Sequence, residues 1–200
     1  VTFDNFLNFL SEQPENVRYE LHTGEIIKMP QPLGKHEKII MFLARQLLLK
    51  VIKLERPYEI SSKNVLVRLE DKLSGYYPDI LLLNLPNLEN EPLWEQESTV
   101  SLVESIPLVI EVVSTNWRDD YHKKLADYEE MGIPEYWVVD YMPFGSKMLI
   151  GESKQPTITI YSLSDEGAYC SKQFRGDDLL ESPTFPDLNL TALAIFSARY

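Results

Sequence analysis

The chain has 200 residues, 44% of them hydrophobic and 25% charged, enough apolar material for one compact domain with a real core. An aromatic share of 11% excludes a disordered chain. The net charge of -12 repels nucleic acid at long range, so any nucleic-acid ligand would have to be met by a local basic patch or by metal ions.

Phe3, Phe6, Leu7 and Leu10 recur at helical spacing and predict a first helix over residues 2–10, ended by Pro14. "YELHTGEIIKM", residues 19–29, predicts two short strands around a turn at Thr23-Gly24. A loop with Pro30, Pro32 and Gly34 leads to a long helix over residues 35–53, where Ile39, Ile40, Phe42, Leu43, Leu47 and Val51 form a broad apolar stripe. Residues 64–69 alternate as a strand. A turn at 73–75 enters a second strand over residues 76–83, in which Pro78 marks an edge or an entry point. Residues 84–105 are acidic, contain Pro86 and Pro92 and lack a clean period; they predict a long functional or mobile loop with room for a helical turn. Beyond it the pattern predicts a strand over 107–114, a helix over 119–131 closed by Gly132, and a buried strand over 134–140. A hairpin over 157–163 and 167–174 and a short helix over 190–200 complete the chain. This order predicts one α/β domain over residues 1–200, a mixed sheet with helices on both sides.

"LVIEVVS", residues 108–114, carries the chemistry. An ionised carboxylate is costly in an apolar strand unless it is paired or bound to a metal. Alternation puts Glu111 on one face with Val109 and Val113, and Leu108, Ile110 and Val112 on the other. Asp79 opens a second apolar strand in "YPDILLL". If the two strands pair, the carboxylates approach each other, and a divalent cation such as Mg²⁺ or Mn²⁺ would neutralise both. An Arg or Lys partner for each, or a place at a sheet edge, fits the same pattern. On the following helix Asp120, Lys124 and Tyr128 share one face by their i, i+4, i+8 spacing, either as a surface pair or as a lysine aimed at the end of the Glu111 strand.

"YYPDILLL", "PLVIEVVS" and "DDYHKKLADYEEMGIPEYWVVD" together resemble the Uma-two family of restriction endonucleases, within the PD-(D/E)XK nuclease superfamily. "YELHTGEIIKM" and His36 are similar to that family as well, and the block from Asp119 to Asp140 is the most specific part. The resemblance implies a restriction-endonuclease-like central mixed sheet flanked by helices, and metal-dependent hydrolysis of phosphodiesters. It implies that Asp79 and Glu111 bind Mg²⁺ or Mn²⁺ with the backbone carbonyl of Val112, and that DNA is the substrate. The motif lysine is displaced: Val113 stands two residues after Glu111, and the resemblance implies that Lys124 on the next helix takes the role. Glu20 is the N-terminal acidic residue expected to complete the site, ahead of Glu25. His36 is a further candidate as a phosphate contact or proton carrier.

Other chemistries find no support. HxxxH and HExxH zinc patterns, a glycine-rich phosphate loop and a Gly-x-Ser-x-Gly elbow are absent. Cys170 is the single cysteine, which excludes an intrachain disulfide and fits a reducing cytoplasm. Residues 1–10 carry Asp4, Asn5 and Asn8 and no basic residue, unlike a secretory leader, and no apolar run approaches a membrane span. A first residue other than Met suggests a trimmed start. The expectation is a cytoplasmic endodeoxyribonuclease acting as a homodimer, with basic clusters at Arg118, His122, Lys123 and Lys124 and at Lys35, Lys38 and Arg45 to meet phosphate. The competing expectation is a non-catalytic protein-interaction module on a nuclease-like fold.

Overall fold

The computed structural model describes residues 1–14, 16–61, 64–70 and 73–198. Helix α1 (Phe3–Ser11) starts at Thr2, whose side chain accepts from the Asn5 amide, and buries Phe3 and Phe6. A hairpin of β1 (Tyr19–His22) and β2 (Glu25–Lys28) follows, then the 21-residue α2 (Gly34–Leu54). Strands β3 (Tyr58–Ile60), β4 (Leu66–Arg68), β5 (Gly75–Tyr76) and β6 (Ile80–Asn84) lead to a 3-10 stretch, the one-turn α3 (Trp94–Glu97) and the two-residue β7 (Thr99–Val100). Next come β8 (Leu108–Val112), a π turn over Asp119–Lys123, α4 (Lys124–Met131) and β9 (Glu135–Asp140). Helix α5 (Lys147–Ile150), strands β10 (Thr157–Leu163) and β11 (Tyr169–Phe174) and α6 (Ala192–Ser197) end the described chain. Positions 199 and 200, the end of the expected last helix, lie outside the described residues.

The expected α/β class holds, with a correction to its sheet. Six strands form the central sheet, in the order β11-β10-β9-β8-β6-β3, where β8 and β9 run parallel and the other pairs antiparallel. Five more form a second sheet, β2-β1-β5-β4-β7. The single strand expected over 76–83 is therefore two strands in two sheets. Pro78 has no amide hydrogen to give a ladder, and the chain crosses from β5 to β6 at Tyr77-Pro78-Asp79. The stretch expected as a loop, 84–105, supplies β7, which pairs in parallel with β4. Strand β3 and helix α5, each three or four residues, are too short to show a period.

Alternation along β8 sorts its side chains as expected. Leu108, Ile110 and Val112 join the core under α2 and α6, with Trp137 and Val139 of β9. Val109 and Val113 join the opposite core, with Tyr121, Tyr128, Tyr136 and Val138. Glu111 follows the second set, and faces α4 and the second sheet.

Gly75 is where α1 closes on that second sheet. A Cβ there would meet Phe3 Cε2 at 2.7 Å. Phe3 is fully buried and cannot swing out cheaply, so Gly75→Ala should cost about 1–3 kcal/mol, read as a lower urea midpoint with unchanged slope.

Candidate active site

The junction of the two sheets gathers three carboxylates around one lysine, with a fourth beside them. Glu111 comes from β8, Glu20 from β1, Asp79 from the crossover before β6, and Asp120 from the π turn. Glu111 and Lys124 are each 3% exposed and Glu20 is 1% exposed. Lys124 Nζ donates to Glu111 Oε1 at 3.0 Å and to Glu20 Oε1 at 3.3 Å, and lies 3.9 Å from Asp120 Oδ1. One turn along α4, the Tyr128 hydroxyl donates to Glu111 Oε1 at 3.4 Å. Glu20 Oε1 also accepts the Tyr77 amide at 3.0 Å, and its Oε2 is 3.1 Å from His22 Nε2. A single carboxylate thus ties β1, the crossover and α4 together.

Asp79 is held from β8. Ile80 pairs with Ile110, and continuing that register places Asp79 opposite Glu111. Asp79 Oδ2 accepts the Val112 amide at 2.9 Å. His36, in the first turn of α2, puts Nε2 at 2.7 Å from the Val112 carbonyl oxygen and 3.4 Å from Asp79 Oδ2. The Val112 carbonyl, expected as a metal ligand, is already engaged by His36; its second lone pair leaves the two contacts compatible.

One cation among four carboxylates sets the electrostatics. Burial works against the Lys124 charge, but Glu111, Glu20 and Asp120 outweigh it and hold the ammonium well above the usual lysine range. Burial pushes Glu111 well above the usual carboxylate range, against Lys124 and with Asp79, Asp120 and Glu20 adding to it. Glu20 goes the other way: burial raises it, but Lys124, His22 and the Tyr77 amide together bring it below the usual value. Asp120 is pushed up to about 7, chiefly by burial, against Lys124 and with Asp79, Glu20 and Asp119 reinforcing it.

The Asp120 shift has a testable sign. A carboxyl raised on folding contributes stability below its ordinary value and loses it as pH rises through about 7. Asp120→Asn removes that dependence. It should gain on the wild type by on the order of a few kcal/mol between mildly acidic and neutral pH, read from thermal denaturation across that window.

A cavity of about 220 Å³ opens onto these groups, lined among others by Glu20, His36, Asp79, Glu111, Asp120 and Lys124. It has room for several waters beside an ion. Among the described residues no group of three or more His, Cys, Asp or Glu side chains is arranged to hold a metal ion. The expected set of Asp79, Glu111 and the Val112 carbonyl needs only two side chains, and its all-oxygen chemistry fits Mg²⁺ or Mn²⁺, which keep several waters.

The family described as "Uma2: Putative restriction endonuclease" matches residues 3–193. The chain belongs to this Uma2 family. Among solved structures it is similar to a "putative nuclease belonging to DUF820" from Anabaena variabilis, with 20% identity, a TM-score of 0.73 and coverage of 99% of this chain and 98% of that one. The restriction-endonuclease-like fold expected from the sequence is the fold that this likeness shows. No curated protein matches.

Within this Uma2 chain Glu20 and Glu111 each bond Lys124, while Asp79 and Val112 bond to each other beside them. Glu25 is exposed on β2, apart from the cavity lining. The basic cluster expected at 118–124 loses Lys124 to the interior; Lys123 pairs with Asp127 at 2.8 Å, and Arg118 stacks over Trp117 at 4.5 Å. Sequence reading missed Arg18, whose guanidinium lies 5.4 Å over the Tyr77 ring at the cavity wall. Its only signal was position, one residue before the strand that carries Glu20. Among the described residues no helix is long and apolar enough to cross a membrane.

Proposed function

We propose that the protein is a divalent-metal-dependent endonuclease that hydrolyses phosphodiester bonds of DNA in this cavity. The observation that carries the reading is Lys124, a buried ammonium bridging Glu111 and Glu20 beside Asp79. A solvated surface pair would not be drawn 3% exposed into a carboxylate cluster that faces a cavity.

Asp79, Glu111 and the Val112 carbonyl would hold Mg²⁺ or Mn²⁺. Such an ion, when bound, polarises a phosphate oxygen and lowers the pKa of a water. Lys124 stays charged and offsets negative charge on the phosphate; Glu20 keeps its Nζ in place. Tyr128, whose hydroxyl burial holds in its neutral form, donates toward Glu111 and fixes that carboxylate. Arg18 and the α2 start at Lys35 supply positive charge nearby, which eases approach of a polyanion to an acidic chain. The exposed, free Cys170 fits a cytoplasmic setting.

The test is conversion of supercoiled plasmid to nicked or linear form at low salt, with Mg²⁺ or Mn²⁺. Wild type should cleave, and Asp79→Ala and Glu111→Ala should not. Metal binding without cleavage would show the substrate to be wrong. Neither binding nor cleavage would leave the non-catalytic interaction module, in which the Lys124 ion pairs are structural only.

A further inference from the structure

We propose that the outer face of α2 is a homodimer interface, on which α2 of a second copy of this chain packs antiparallel; this is independent of the metal-site reading above. Helix α2 carries two apolar faces. The inner one, with Ile39, Ile40, Phe42, Leu43, Leu47 and Val51, is buried in the core. On the opposite side Met41, Leu48, Leu49 and Ile52 stand 38% to 66% exposed. Single exposed apolar residues are ordinary on a soluble protein. Four on one side of one helix form a patch, and a helix that is apolar all round is normally covered all round.

The spacing names the kind of cover. The exposed residues Lys38, Met41, Arg45, Leu48, Ile52 and Glu55 follow one another at intervals of 3, 4, 3, 4 and 3, and Leu49 flanks them. That is the seam of a coiled coil, whose 3.5-residue period keeps one edge of a helix against a partner helix. The charges choose the occupant. The seam is basic toward its start, at Lys38 and Arg45, and acidic at its end, at Glu55. Such a strip is complementary to itself run backwards. A two-fold axis midway between Arg45 and Leu48 sets Met41 against the partner's Ile52 and Lys38 against the partner's Glu55. It lays the Arg45 stem on the partner's Leu48, with the guanidinium at the rim. The symmetry repeats each contact, as an isologous interface requires. A parallel pair would instead set Lys38, Arg45 and Glu55 each against its own copy. The seam is about 26 Å long and a helix about 10 Å wide. That footprint is well under the ~800 Å² per partner of a standard interface, so the dimer is a weak one, with a micromolar or higher Kd.

Sedimentation equilibrium of the full chain tests this. Wild type should pass from monomer to dimer as its concentration rises from the micromolar toward the millimolar range. Ile52→Glu should raise the dimer Kd about tenfold or more. Its melting temperature at low concentration should match wild type, since Ile52 is exposed in the single chain. Charge reversal reads the direction. Lys38→Glu or Glu55→Lys alone should weaken the dimer about 3–10-fold, and the two together should restore it. In a parallel pair neither single reversal would matter. A wild type that stays monomeric throughout, or a dimer indifferent to Ile52→Glu, would overturn the interface, and the outer face would then serve a different partner or none. Dimerisation lost in Ile52→Glu but blind to both charge reversals would overturn the antiparallel arrangement.

Discussion

Lys124→Met should destabilise the fold by about 3–5 kcal/mol at neutral pH, although methionine fills nearly the same space. The cost is not lost packing. Glu20 and Glu111 are 1% and 3% exposed, and without the ammonium their charges have no cation between them. The Glu111 carboxyl would then rise further and the Glu20 carboxyl would rise from its lowered position, so the deficit should shrink as pH falls and protons replace the lysine. Urea unfolding of wild type and variant at neutral and mildly acidic pH reads both effects. A loss under about 1 kcal/mol, or one that does not change with pH, would place Lys124 among ordinary surface pairs and remove the central electrostatic argument.

Glu111→Gln should do two opposite things. At neutral pH it should stabilise the protein by about 0.5–2 kcal/mol, and it should reduce cleavage by about 10²–10³-fold or more. The sign of the first effect follows from the raised Glu111 carboxyl. Its contribution to stability is present below the ordinary glutamate value and is lost as pH rises toward its folded value. The amide keeps the shape and an acceptor for Lys124 but carries no charge, and Glu20 still pairs the ammonium. Loss of activity with a gain in melting temperature is what a strained functional carboxylate gives. Loss of both would mean that Glu111 is a structural partner of Lys124.

The sequence made the direction of Glu111 readable, because a strand has a period of two and the flanking valines declare their face. Position 79 was readable for the same reason: it opens an apolar run. Sequence reading placed His36 at a helix start but could not show that this helix end abuts β8, because the contact spans 76 residues. The fate of the Val112 carbonyl was hidden for a related reason, since backbone acceptors leave no trace in side-chain identity. Short elements were lost where length defeats periodicity, as in β3 and β7. The split at Tyr77-Pro78-Asp79 was half visible: the proline announced an irregularity, but not that the strands on either side serve different sheets.

The π turn over Asp119–Lys123 has a consequence for how such a site can vary. Here the Lys124 amide bonds back to the Asp119 carbonyl, one residue further than in an α-helix. Each residue of an α-helix turns the chain by about 100°, so one extra residue in a turn resets the angular phase of everything before it. The buried stripe of α4 can therefore keep its own rotational setting while Asp120 is aimed independently into the cavity. Gaining or losing that residue would re-aim the acidic side of the cluster without repacking the helix beneath it, much as a vernier shifts one scale against another.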